Sequence, residues 1–122
     1  MMVRGLRPIP SITNEQVAAE WDRLAHLRCA QIESGKDLSF INVLLPMIMN
    51  LAEGLNHSDV LDVGCGAGFV TRAIAKRSNN VVGIDSSKAS IEQACQRMGN
   101  FYNIAYVLAG KRFKHDYFIN SI

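Results

Sequence analysis

Between Leu61 and Phe69 the chain reads LDVGCGAGF, an apolar run and an acid followed by glycine at alternate positions, Gly64, Gly66 and Gly68. A stretch so bare of side chains lets backbone approach a ligand or another segment closely, and it falls where one periodicity gives way to another. Before it, DVLDVG has a short, mostly apolar strand pattern; after it, AGFVTRAIAKRS repeats at helical spacing with Phe69, Val70, Ala73 and Ile74 turned inward. The alternation then recurs. NVVGIDS is a second strand, SKASIEQACQRMG a second helix with Ile91, Ala94, Cys95 and Met98 at helical spacing, and NIAYVLAG a third strand. Strand, helix, strand, helix, strand in this order predicts an α/β fold with a parallel sheet and right-handed crossovers. HDYFINSI reads as the start of a fourth strand.

The part before Asp59 has a different grammar. Residues 1–12 carry arginines and prolines without a period and are expected to form a mobile arm. Thr13 is an N-cap with Gln16 as its capping-box partner, opening a helix that carries Val17, Trp21, Leu24 and Arg28 on one face and ends at Gly35. A further helix begins at Asp37 or Ser39, is kinked or broken by Pro46, and stops at Gly54. The expected organisation is a single domain over 13–122, with a helical cap at 13–54 and a β-α-β-α-β core at 59–122.

Composition narrows the function classes. A chain of 122 residues is one domain at most, and 13 Lys and Arg against 11 Asp and Glu leave no charge excess to draw nucleic acid or an anionic membrane. No apolar run approaches a membrane span, and the arginines and prolines of MMVRGLRPIP stand where a signal peptide would be apolar, so a cytoplasmic protein is expected. Cys29, Cys65 and Cys95 are odd in number and widely spaced, which fits reduced thiols. His26, His57 and His115 are scattered, with no zinc-ligand spacing, so no metal is expected.

A strand, a glycine turn and a helix N-terminus make a place for a long polar ligand. A dinucleotide fingerprint, G-x-G-x-x-G or A, would need a small residue at position 69, which is Phe69. The observed order is G-x-G-x-G, with Asp62 two residues ahead of it. VLDVGCGAGF followed by VVGIDSS resembles motif I and the next acidic strand end of class I S-adenosylmethionine-dependent methyltransferases. The helical stretch from Trp21 to Pro46 looks like the N-terminal cap of small-molecule methyltransferases, and the resemblance extends over roughly residues 14 to 108.

The resemblance implies a Rossmann-like sheet, the N-terminal half of that fold, with S-adenosylmethionine as cofactor and S-adenosylhomocysteine as product. Asp62 would meet the methionine ammonium, Gly64, Cys65 and Gly66 would line the methionine and ribose, Gly68 would permit close packing at the helix start, and Asp85 would accept from the ribose hydroxyls. Ser86 offers backbone contacts near adenine, and Trp21 of the cap could close over the cofactor. The blander readings stand beside these: Cys65 as a small filler, Ser87 as a helix cap, Trp21 as core, Asp22 and Asp37 as capping or solvated acids, and KRFKH as a solvated loop. If the acceptor must lose a proton, His26 or Asp37 would be the base, although neither has a sequence signature.

Two departures from the family pattern matter. VLAGKRF has Ala109, Gly110 and Lys111 where relatives carry an acid for the adenine amino group, and four strands are fewer than the family's seven. The expectation is therefore a truncated form acting on a small-molecule acceptor. It would pair as a homo-oligomer or with another chain through the sheet edge of YFINSI. The alternatives left open are a non-catalytic cofactor-binding module and an oligomerising remnant.

Overall fold

The computed structural model describes residues 11–109. The expected fourth strand, the KRFKH loop, Gly110 and Lys111, and residues 1–10 of the expected arm lie outside them. Helix α1, Asn14–Glu33, opens as its sequence requires: the Gln16 amide donates to Thr13 Oγ1 at 3.1 Å and the Thr13 amide to Gln16 Oε1 at 2.9 Å. Such a cap contributes about 1 kcal/mol by satisfying donors that the first turn leaves open.

The expected inner face of α1 is rotated. Ala25 and Cys29 are its buried residues, whereas Trp21 is exposed. The row through Asp22, His26 and Glu33 meets a later helix, and Val17, Trp21 and Arg28 line a cleft instead of a core. A hydrophobic period cannot distinguish a stripe packed on protein from one bordering an open cavity.

Pro46 acts where expected, but by another device. The turn before it, Phe40–Leu44, widens into a π-helical turn closed by the Leu45 amide on the Phe40 carbonyl, and α2, Leu45–Leu51, continues from it. Widening relieves the clash of the Pro46 ring with the preceding turn without breaking the helix. The chain tightens to a 3₁₀ turn at Ala52–Leu55, so Gly54 lies inside the last turn and the α-helix itself ends at Leu51.

The core follows the expected order. Strands β1 (Asp59–Val63), β2 (Asn80–Asp85) and β3 (Ile104–Leu108) form a parallel sheet in the order β1-β2-β3, with Val60 opposite Val81 and Val81 opposite Ile104. Helices α3 (Phe69–Ala75) and α4 (Lys88–Gln96) connect them. Val81, Ile104, Ile74 and Ala75 form the buried cluster, with Val60, Val70, Met98 and Phe101 packed against it. Each large aliphatic buried there contributes about 1.5–3 kcal/mol.

Two inward sets differ from expectation. In α3 the buried residues are Thr71, Ile74 and Ala75, Val70 reaches both the core and the cleft, and Phe69 borders the cleft. In α4 they are Ser90, Gln93 and Ala94, and Cys95 is exposed. Both helices are buried partly against α1 or the site, so polar side chains with partners replace part of the apolar stripe. Asn103 ties β3 to the end of α3 by donating from Nδ2 to the carbonyls of Ala75 at 2.9 Å and Ser78 at 3.1 Å.

Candidate functional site

The C-terminal ends of β1 and β2, where a parallel sheet presents ligand sites, open onto a cleft of about 730 Å³. Asp62, Gly64, Cys65, Gly66, Asp85 and Ser86 line its sheet side. Trp21, Arg28, Phe40, Leu44 and Phe69 line the helical side, so six of the seven expected site residues converge and Trp21 joins them.

Gly68 is the exception. It caps α3 with a left-handed φ of +81°, and a Cβ built there would stand 2.1 Å from Tyr106 Oη, so its role is close packing over β3. Close packing at the helix start is the role the sequence suggested for it.

Asp85 is bound into the glycine turn. Its two oxygens accept the amides of Gly66 and Ser87, each at 2.9 Å, and Gly66 presents its amide from a left-handed φ of 54°. Asp62 is held differently: Thr71 Oγ1 donates to its Oδ2 at 2.6 Å, and among the described residues no donor reaches Oδ1. Burial pushes the Asp62 carboxyl above the usual range; the Thr71 hydrogen bond opposes this and the nearby Asp85 charge adds to it. A part-buried carboxylate beside a second acid favours a cation as its partner.

The Cys65 thiol is pushed up to about 12, first by burial and then by Asp62 and Asp85, so it is an inert filler. Phe69 is fixed at the rim between Phe40, edge to face at 6.3 Å, and the Arg72 guanidinium, 4.8 Å from its centroid. Ser87 caps α4 through Ser90, as its position suggested, and Asp22 holds the cap onto that helix: it accepts from Ser87 Oγ at 2.6 Å and from the Ala89 amide at 3.0 Å.

Neither proposed base faces the cleft. His26 Nδ1 pairs with Gln93 Nε2 at 2.8 Å, and Asp37 caps the next helix through the Phe40 amide at 2.9 Å while ion-pairing with Arg28. The Arg28 hydrogen bond holds the Asp37 carboxyl below its usual range. The sequence reading missed Arg28, Phe40 and Thr71 as site-forming residues. Thr71 follows the glycine turn closely enough to have been suspected, whereas Arg28 and Phe40 reach the cleft only through the packing of the cap. At the third strand Ala109 lines the cleft and donates its amide to the Asp85 carbonyl at 3.0 Å, extending the ladder. Among the described residues no group of three or more His, Cys, Asp or Glu is arranged to hold a metal, and no helix is long and apolar enough to cross a membrane.

Residues 60–112 match the family model described as "Methyltransferase domain". Ubiquinone biosynthesis O-methyltransferase of Pseudomonas aeruginosa (strain UCBPP-PA14) is 37% identical over 76 residues, covering 62% of this chain and 33% of that protein. The enzyme of the same name from Idiomarina loihiensis is 43% identical over 60 residues, 48% of this chain and 25% of that one. The chain thus spans a third or less of these relatives' length. The fold is similar to that of Haemonchus contortus phosphoethanolamine N-methyltransferase 1, with a TM-score of 0.63 at 23% identity over 80% of this chain and 22% of that one. It is also similar to DhpI in its S-adenosylhomocysteine complex, with a TM-score of 0.61 at 18% identity over 79% and 44%.

Proposed function

Because residues 60–112 match a methyltransferase domain, we propose that the chain is of the class I S-adenosylmethionine-dependent methyltransferase family and that the cleft binds S-adenosylmethionine and serves methyl transfer to a small-molecule acceptor. The observation that carries this reading is the pair of unlike acids across the glycine turn. Asp62 keeps one oxygen without a donor for the ligand's ammonium. Asp85 spends one acceptor site per oxygen on the turn and retains others for ribose hydroxyls. A pocket built for pyrophosphate would not put two carboxylates there.

Bound in this cleft, the cofactor supplies an electrophilic methyl group on a sulfonium. Gly64, Cys65 and Gly66 line the methionine and ribose side, with Ser86 near the adenine. Trp21, Phe40 and Phe69 form an apolar wall that excludes water and orients the acceptor, which is the main protein contribution to an in-line displacement. The free thiols of Cys29, Cys65 and Cys95 suit a reducing cytoplasm. Pairing with a second chain through the sheet edge of YFINSI, which lies outside the described residues, belongs to the same proposal.

A second reading, cofactor binding without turnover, is favoured by His26 and Asp37 both being turned to structural partners. Calorimetric titration tests the shared premise. Saturable micromolar binding of S-adenosylhomocysteine, with no heat from NAD, is expected; a folded sample silent toward S-adenosylhomocysteine would overturn both readings. Methyl transfer from labelled S-adenosylmethionine to a panel of phenols and amines then separates the enzyme from the binding module.

A further inference from the structure

We propose that Thr71 is a positioning residue for the amino acid end of the cofactor, holding Asp62 by one oxygen so that the other is left to the ligand's ammonium. The inference rests on the reading of Asp62 given above. Thr71 is fully buried in the first turn of α3, directly behind the glycine turn, and its Oγ1 lies 2.6 Å from Asp62 Oδ2.

The direction of this hydrogen bond is informative. A threonine hydroxyl within a helix commonly donates back to the carbonyl four residues earlier, here Ala67. That carbonyl already accepts from Arg72 Nη1 at 2.9 Å, and the Thr71 proton goes to Asp62 instead. Tyr106 Oη, buried beneath Gly68 and close to Thr71 and Arg72, makes no hydrogen bond to the acid.

The two acids also differ in their dependence on such help. Asp85 has backbone amides on both oxygens, and no side-chain substitution removes them. Asp62 has Thr71 alone among the described residues, while burial and the neighbouring charge of Asp85 from β2 both oppose a negative charge on it. Without the hydroxyl, the carboxylate would be free to rotate and harder to keep ionised. Both effects weaken capture of an ammonium and leave the adenosine end of the site untouched.

The test compares Thr71→Val, which keeps shape and burial, with Thr71→Ser, which keeps the hydroxyl. Affinity for S-adenosylhomocysteine is expected to fall roughly tenfold or more in Thr71→Val, the loss of one charge-assisted hydrogen bond, and to stay within about threefold in Thr71→Ser. Adenosine, which lacks the amino acid end, should bind Thr71→Val as it binds the wild type. Equal losses for both ligands, or no loss in Thr71→Val, would overturn the assignment. If S-adenosylhomocysteine fails to bind even the wild type, the proposed function falls, and the positioning role is read without ligand from the carboxyl ¹³C titration of Asp62. An upward shift of its midpoint in Thr71→Val, absent in Thr71→Ser, supports the role; an unmoved midpoint sinks it.

Discussion

Gly66 and Asp85, nineteen residues apart in sequence, are joined by an amide-to-carboxylate hydrogen bond of 2.9 Å, so the acid ending the second strand is also a strut of the glycine turn. This dual use changes what a substitution there reports. Asp85→Ala removes acceptors from the Gly66 and Ser87 amides together and is expected to cost about 1–3 kcal/mol of stability as well as cofactor binding. Asp85→Asn keeps one acceptor oxygen and should lose clearly less of both. Urea unfolding run beside the ligand titration checks this; full stability in Asp85→Ala would mean that the turn stands without its strut.

Asp62 presents the opposite case, an acid that costs the empty protein stability. Burial raises its folded pKa above the unfolded value, so its contribution to stability is fully present below the unfolded pKa and is lost as pH rises through the folded one. At neutral pH Asp62→Asn, which can still accept from Thr71, should raise the melting temperature of the ligand-free chain by a few degrees. The gain should shrink as pH falls into the carboxylate range. The same variant should bind S-adenosylhomocysteine more weakly. Melting curves across pH with and without ligand test both halves.

Gly68 and Tyr106 predict a steric coupling. Gly68→Ala combines a left-handed backbone with a Cβ 2.1 Å from Tyr106 Oη and 2.9 Å from its Cζ, and should cost about 1–3 kcal/mol or more. Tyr106→Phe alone removes a buried hydroxyl that has no partner and should be neutral or stabilising by about 1 kcal/mol. Together the two should recover part of the alanine's loss. A double-mutant cycle in denaturant measures the coupling, and strict additivity would refute it.

The cap is held to the core by Asp22, which makes the neighbouring Trp21 a reporter. Asp22→Ala removes the acceptor for Ser87 Oγ and the Ala89 amide at the start of α4 and should cost about 1–2 kcal/mol. The Ser87 hydroxyl, then the Ala89 amide, hold the Asp22 carboxyl below its usual range, so this stabilisation is present above the unfolded pKa and fades as pH falls through the folded one. The chain has a single tryptophan, and its emission should shift to the red both in the variant and in the wild type at acidic pH.

The three cysteines should differ sharply toward an alkylating reagent. Cys95 is exposed, whereas Cys29 and Cys65 are buried with their thiols raised by burial, Cys65 to about 12. Mass spectrometry of the folded chain should find Cys95 modified first and Cys65 protected until unfolding.

Much of the site was legible because its parts are local. The turn LDVGCGAGF needs no partner to declare that backbone must come close there, the Thr13 and Gln16 box is written within four residues, and strand and helix periods alternate cleanly from Asp59 onward. The faces of the helices were less legible. Val17, Trp21 and Arg28 have the spacing of a buried stripe but border a cleft, and Gln93 is buried with His26 of α1 as its partner.

By itself, then, the sequence determined the order of elements, the parallel sheet and the place of the glycine turn, since capping, glycine geometry and hydrophobic period act over a few residues. Only the tertiary structure decided that Asp85 supports the turn, that Thr71 holds Asp62, and that His26 pairs with Gln93. Those are hydrogen bonds between residues on different elements. Their partners depend on how the elements pack, which no local spacing encodes.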